Sequence, residues 1–198
     1  KGWDSVNSNF GEILVLNGGK LHSSGTTPSD LIFTSMHDNS VGGTTGSGTA
    51  AAGDWKGITV NAGGTLALSG FTLKYGGAYA RYGAEMGSAD QGGMRITGSA
   101  ATSSGGIANA LLDRNYQSGL VLSSVSSFSV SDVTFQNHTA QNSGPAAAMY
   151  VVTSTSTLSA ITFTGNTKDA TGSGVNALTC TGCTPSSPNT TPANLFGP

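Results

Sequence analysis

The residue types able to do chemistry in this chain of 198 residues fall into a few short stretches. The stretch 75–93, YGGAYARYGAEMGSADQGG, gathers Tyr75, Tyr79 and Tyr82 with Arg81, Glu85 and Asp90. Tyrosines stack on a sugar ring while charged groups hydrogen-bond its hydroxyls, and the same kit serves a protein contact. The plainer reading folds these aromatics onto the chain's own flank. A second stretch is Cys180-Thr181-Gly182-Cys183. A redox role wants a helix N-terminus in a βαβ setting, which the pattern lacks. A zinc site wants two further Cys or His ligands, and His22, His37 and His138 lie on other segments. A Cys180–Cys183 disulfide closing a local corner is the expectation in a secreted chain. Asn137-His138-Thr139 and Asn189-Thr190-Thr191 are glycosylation sequons if the source is eukaryotic.

A third set, Lys74, Asp113 and Arg114, meets only if the strands that carry it stack. The stretch 57–75, GITVNAGGTLALSGFTLKY, shows why they should. Ile58-Thr59-Val60, Leu66-Ala67-Leu68 and Phe71-Thr72-Leu73 alternate at period two, with turn residues at Asn61-Ala62-Gly63-Gly64 and Ser69-Gly70. The stretch 119–137 overlays it without a gap, so that Leu120 and Leu122 fall on Ile58 and Val60, Phe128 and Val130 on Leu66 and Leu68, and Val133 and Phe135 on Phe71 and Leu73. The stretch 147–165 overlays it too, placing Ala148, Tyr150, Leu158, Ile161 and Phe163 in the apolar columns, with Ser156 where Leu66 would be. Looser copies start at Ile13, Met94 and Val175. Self-similarity at 26 to 28 residues over the last four starts predicts stacked parallel strands around a continuous core. The fold class expected is all-β, a right-handed single-stranded parallel β-helix (a solenoid) of about six turns, with three short strands per turn and two long loop excursions, 36–55 and 75–93. Residues 1–11 are a lead-in or cap, 12–183 the β-helix and 184–198 a Pro-rich tail. The overlay stacks Lys74, Asp113, Gln136 and Thr164 in one column, with Arg114, Asn115, His138 and Asn166 at the same corner; stacked amides at such corners form ladders.

Only 9% of residues are charged, the net charge is −2 and 30 residues are glycine. Small uncharged polar residues suit the outward faces of stacked strands, where like charges would repel. Without a basic run, nucleic acid and anionic membrane surfaces are not expected partners. No apolar run approaches the ~18 residues of a membrane span, so membrane insertion is not expected. Nucleophilic triads and phosphate loops are absent, and Gly46-Ser47-Gly48 lies between no strand and helix.

The run Phe33-Thr34-Ser35, Asp38, Gly42-Gly43-Thr44 and Gly53-Asp54-Trp55-Lys56-Gly57-Ile58 resembles a segment of right-handed β-helix domains in large bacterial extracellular proteins, adhesins and surface stalks among them. Phe135, Asn137, Phe163 and Asn166 are similar to the Phe-x-x-Asn repeats of chlamydial polymorphic outer-membrane proteins, whose passengers are β-helical adhesins. Only Phe163 to Asn166 has that spacing, and the Gly-Gly-Ala partner motif is missing. The resemblance implies an extracellular or cell-surface location. In several such relatives an acidic loop could hold calcium. Here Thr44-Thr45-Gly46-Ser47-Gly48 replaces it, and Asp38 with Asp54 would make only a weak site for an ion that wants six or more oxygens. No cofactor is expected beyond that calcium option; turn hydrogen bonds are the competing role for both acids. Trp55 is expected to pack at a corner.

The function expected is a non-catalytic structural or adhesive module presenting loops to a glycan or protein ligand, or associating end to end into a filament. An enzyme is not expected. The alternative is a polysaccharide lyase or glycosidase, the lyase using Asp113, Arg114 and Lys74. Inverting hydrolysis needs two acids about 6.5–9.5 Å apart, and the best pair, Asp113 with Asp132, falls in different columns. Ice binding through Ser154 to Thr157 and Thr179-Cys180-Thr181 is a third reading, held back by the absence of regular Thr-x-Thr ladders.

Overall fold

The computed structural model describes residues 11–77, 92–98, 105–138, 148–173, 179–182 and 190–191. Among them every regular element is a strand and none is a helix. The chain alternates between two parallel sheets. The first sheet runs β1 (Glu12–Val15), β4 (Gly57–Val60), β6 (Met94–Thr97), β8 (Leu120–Ser123), β10 (Met149–Val152), β12 (Ala170–Ser173) and β14 (Thr190–Thr191). The second runs β13 (Thr179–Thr181), β11 (Thr155–Thr164), β9 (Ser126–Gln136), β7 (Gly105–Asp113), β5 (Thr65–Lys74) and β2 (Lys20–His22), with β3 (Leu31–Phe33) also paired to β5.

This arrangement corrects the expected fold class. The third face of the predicted β-helix is missing: no third sheet closes a coil among the described residues, so the solenoid and repeat descriptions give way to two parallel sheets. The reason lies at Ser69-Gly70, whose composition suggests a corner between two strands. Instead β5 is one strand of 10 residues that bends at a single left-handed residue, Gly70 (φ 69°). Its ladder continues on both sides, Ser69 facing Ala108 and Phe71 facing Ala110. Asn109 (φ 48°), Asp132 (φ 53°) and Ala160 (φ 51°) occupy the same place in β7, β9 and β11. One left-handed residue shifts the inward parity, so Leu68 and Phe71 both face the core. Only β2 and β3 realise the predicted split, because residues 23–30 form a loop between them.

The apolar columns form the core. Leu68, Ile107, Val130 and Leu158 stack in register, as do Phe71, Ala110, Val133 and Ile161, and Leu73, Leu112, Phe135 and Phe163. All are buried, and each large one contributes about 1.5–3 kcal/mol. Phe135 and Phe163 stack with ring centroids 5.2 Å apart. In the first sheet Ile58, Met94, Leu120 and Met149 align. That last partner corrects a one-residue slip: Met149 and Val151, both fully buried, take the places predicted for Ala148 and Tyr150. A bulge restores the register, since Thr155 and Ser156 face Ser126 and Phe128, leaving Ser127 extra. Ser156 therefore does sit in the apolar column. Two boundaries also move: β12 starts at Ala170, before the predicted start at Val175, and β14 falls in the stretch read as tail.

Candidate functional site

The strand ends nearest the excursion 36–55 bring together Lys74, Asp113 and Arg114, and the excursion adds Asp38. Lys74 closes β5 and Asp113 closes β7, and the two face each other in the ladder, followed by Gln136 and Thr164 as the overlay predicted. Beyond Asp113 the backbone turns left-handed at Arg114 (φ 49°), which folds the guanidinium back. Arg114 Nε donates to both Asp113 oxygens at 3.1 and 2.9 Å, Nη2 lies 2.9 Å from Oδ2, and Nη1 donates to Tyr75 Oη at 3.1 Å. Its carbon stands 5.6 Å from the Tyr75 ring centroid, a stacking contact. Hydrogen bonding to Asp113 raises the Arg114 pKa. Asn137 Nδ2 also donates to Asp113, at 3.0 Å.

From the excursion, Asp38 reaches the same corner. Lys74 Nζ lies 2.7 Å from Asp38 Oδ2, with the Asp38 side chain 6% exposed. Burial alone would raise the Asp38 pKa, but hydrogen bonds from Lys74, Ser40 and Thr34 outweigh it and hold the carboxyl well below the usual carboxylate range. Thr34 Oγ1 donates to Asp38 at 2.6 Å. Trp55 Nε1 donates to the Lys74 carbonyl at 2.8 Å, pinning the far end of the excursion, and its ring is buried. Between excursion and strand ends lies a cleft of about 510 Å³, walled by His37, Asn39, Ser40 and Thr49 on one side and Lys74 and Arg114 on the other.

Behind this corner runs a buried polar ladder. Asn115 takes the Gly76 N–H on Oδ1 (2.8 Å) and donates to Leu73 O (3.1 Å). The Asn115 N–H donates to His138 Nδ1 at 3.2 Å, which leaves Nε2 as the protonated nitrogen, donating to Leu112 O at 3.0 Å. Asn166 repeats the Asn115 pattern on His138 N and Phe135 O. Burial pushes the His138 pKa down to about 4, against the backbone hydrogen bonds to Asn115 and Leu112. These groups hold the corner rigid and face no cleft.

The structure sorts the remaining candidates. Tyr75 is 8% exposed, with its hydroxyl engaged by Arg114, so it braces the cleft rather than offering a free stacking face. Tyr79, Arg81, Tyr82, Glu85 and Asp90 lie outside the described residues, as do Cys183 and the side chain of Cys180; the backbone of Cys180 pairs with Leu158. Asp38 and Asp54 are engaged separately: Asp54 accepts from Ser35 Oγ (2.7 Å) and the Ala51 N–H (2.9 Å). Among the described residues no three His, Cys, Asp or Glu side chains group to hold a metal. A second cavity of about 270 Å³ lies between β1, β3 and Trp55, with an apolar lining of Ile13, Ile32, Phe33 and Val41. The cleft walls Asn39, Ser40 and Thr49 escaped the sequence reading, which weighed His37 only as a zinc ligand, since loop residues of ordinary polarity carry no periodic signal. No family model, no curated protein and no solved structure matches the chain.

Proposed function

We propose that this chain is a non-catalytic structural and adhesive module of an extracellular or cell-surface protein, a parallel-sheet scaffold that presents a loop-walled cleft to a ligand. The observation that carries the non-catalytic part of this reading is the state of the carboxylates of the excursion and of the strand end at Asp113. Asp38 accepts from Lys74, Thr34 and Ser40, Asp113 from Arg114 and Asn137, and Asp54 from Ser35 and Ala51. General acid–base work needs a carboxyl with a lone pair or proton directed at the substrate and a pKa near the working pH. Asp38 is displaced the opposite way. The test is incubation with a panel of polysaccharides, reading both bound fraction and new reducing or unsaturated ends. Saturable binding without cleavage is expected; turnover lost in Asp113→Asn would replace this reading with the lyase one, which the convergence of Lys74, Asp113 and Arg114 favours.

A structural role beside adhesion draws on the sheet edges. Leu14, Leu16 and Leu31, on or next to the first strands, are the exposed large apolar side chains among the described residues, and an edge strand with apolar neighbours invites a further strand. A second copy of this chain stacked there would extend both sheets. Negative-stain microscopy over a concentration series reads this directly: filaments support it, and discrete particles at every concentration refute it.

A further inference from the structure

We propose that the cleft between the excursion 36–55 and the ends of β5 and β7 binds the carboxylate of an acidic saccharide of the hexuronate class, with Arg114 and Lys74 as the recognising groups. The inference rests on the adhesive reading above and names its ligand. It follows from a count of donors and acceptors. Both oxygens of Asp38 are taken, Oδ2 by Thr34 and Lys74 and Oδ1 by the Ser40 N–H and hydroxyl. Both oxygens of Asp113 are taken by Arg114 and Asn137. Among the described residues the donors are not used up. An ammonium has three N–H groups and a guanidinium five. Lys74 spends one on Asp38. Arg114 spends Nε–H and one N–H of Nη2 on Asp113 and one N–H of Nη1 on Tyr75, which leaves an N–H on each terminal nitrogen.

A wall rich in spare donors and poor in spare acceptors matches a ligand group that only accepts. A carboxylate is such a group, and the paired N–H groups of a guanidinium fit its two oxygens. The fork is also pre-set. Asp113 and the Tyr75 hydroxyl fix the guanidinium plane, while the Arg114 side chain stays 53% exposed, so little rotamer freedom remains to be lost on binding. The opposite wall, with Asn39, Ser40 and Thr49, offers small polar groups to ring hydroxyls. Ala50 on this wall is too small to anchor a peptide side chain. The volume of about 510 Å³ falls within the range of about 300–1,000 Å³ usual for small-molecule sites.

The experiment is calorimetric titration of the whole chain with a glucuronate-containing tetrasaccharide, its carboxyl methyl ester and the matching neutral glucoside. Specific binding of the free acid, weakened about tenfold to a hundredfold in the ester, is expected. Arg114→Lys, which keeps the charge and loses the fork, should weaken the acid to a similar degree and the ester by less; its circular dichroism and melting point show whether the fold is intact. Equal binding of acid, ester and glucoside overturns the proposal. Binding of an acidic peptide or of inorganic sulfate but not of the uronate overturns it as well. Binding followed by cleavage of the tetrasaccharide would sink the non-catalytic reading and leave the ligand class standing. Absence of uronate binding in a chain that retains another glycan sinks the ligand class alone.

Discussion

Lowering the pH from 7 to 4.5 is expected to remove a defined share of stability through His138 alone. The imidazole is buried and neutral, with Nδ1 accepting from Asn115 and Nε2–H donating to Leu112. The folded value of about 4 lies below the ordinary 6.5. The unfolded chain therefore takes up a proton near 6.5 that the folded chain refuses until about 4. Stability is complete above 6.5 and falls as the pH drops between those values. At about 1.36 kcal/mol per pH unit of displacement, the loss at pH 4.5 is about 2–3 kcal/mol. Asp38 does not blur this window, because its contribution is lost only below its unfolded value of 3.8. The assay is urea unfolding at half-unit pH steps for the natural chain and for His138→Asn, which places at this corner the residue type already present at Asn115 and Asn166. The natural chain should lose about 2–3 kcal/mol more than the variant across the window. Parallel pH profiles for the two proteins, or a His138 titration near 6.5 by NMR, would refute the reasoning.

Three further outcomes follow from the same geometry. Ser156 Oγ is buried in an apolar column with no hydrogen-bond partner among the described residues, so Ser156→Ala should raise stability by about 1 kcal/mol in chemical denaturation. At the left-handed bend, Ala160→Gly should stabilise by about 1 kcal/mol, whereas Gly70→Ala should destabilise by several times that, since its Cβ would meet the Gly25 backbone at 2.2 Å; melting points in the opposite order would sink the account of the bend. Lys74→Met strands the buried Asp38 carboxylate and should cost about 3–5 kcal/mol, with most of the loss recovered in the double variant that adds Asp38→Asn.

Much of the packing was legible because period-two alternation fixes which side chains face inward. Leu68, Phe71 and Leu73 found their partners Val130, Val133 and Phe135 through β7, as the overlay placed them. The sheet count was not legible. Ser-Gly serves both a corner that ends a strand and a single left-handed residue that bends one, and the composition of the dipeptide does not distinguish them. The β10 slip hid for a related reason. Ala148, Met149, Tyr150 and Val151 are all apolar, so nothing in their types marks which pair faces the core, and the compensating bulge at Ser127 kept β11 in step. At the site, the column Lys74–Asp113–Gln136 was visible because it rides on the strands. The Lys74–Asp38 pair was not, because Asp38 comes from a loop whose path no local pattern fixes.

The strand order of the first sheet also has a mechanical meaning. With β1 at one edge and β14 at the other, a chain tethered by its two ends and pulled would carry the load along the direction of the ladder hydrogen bonds, strand after strand in series. Bonds loaded this way break singly from an edge, in the manner of a zipper, and not in concert as they do when strands shear past each other. One such length of chain runs from the start of β6 to the start of β8; at about 26 residues, its release would add about 90 Å of extended chain. Tension applied through both edges would thus draw out lengths of this order one after another at low force.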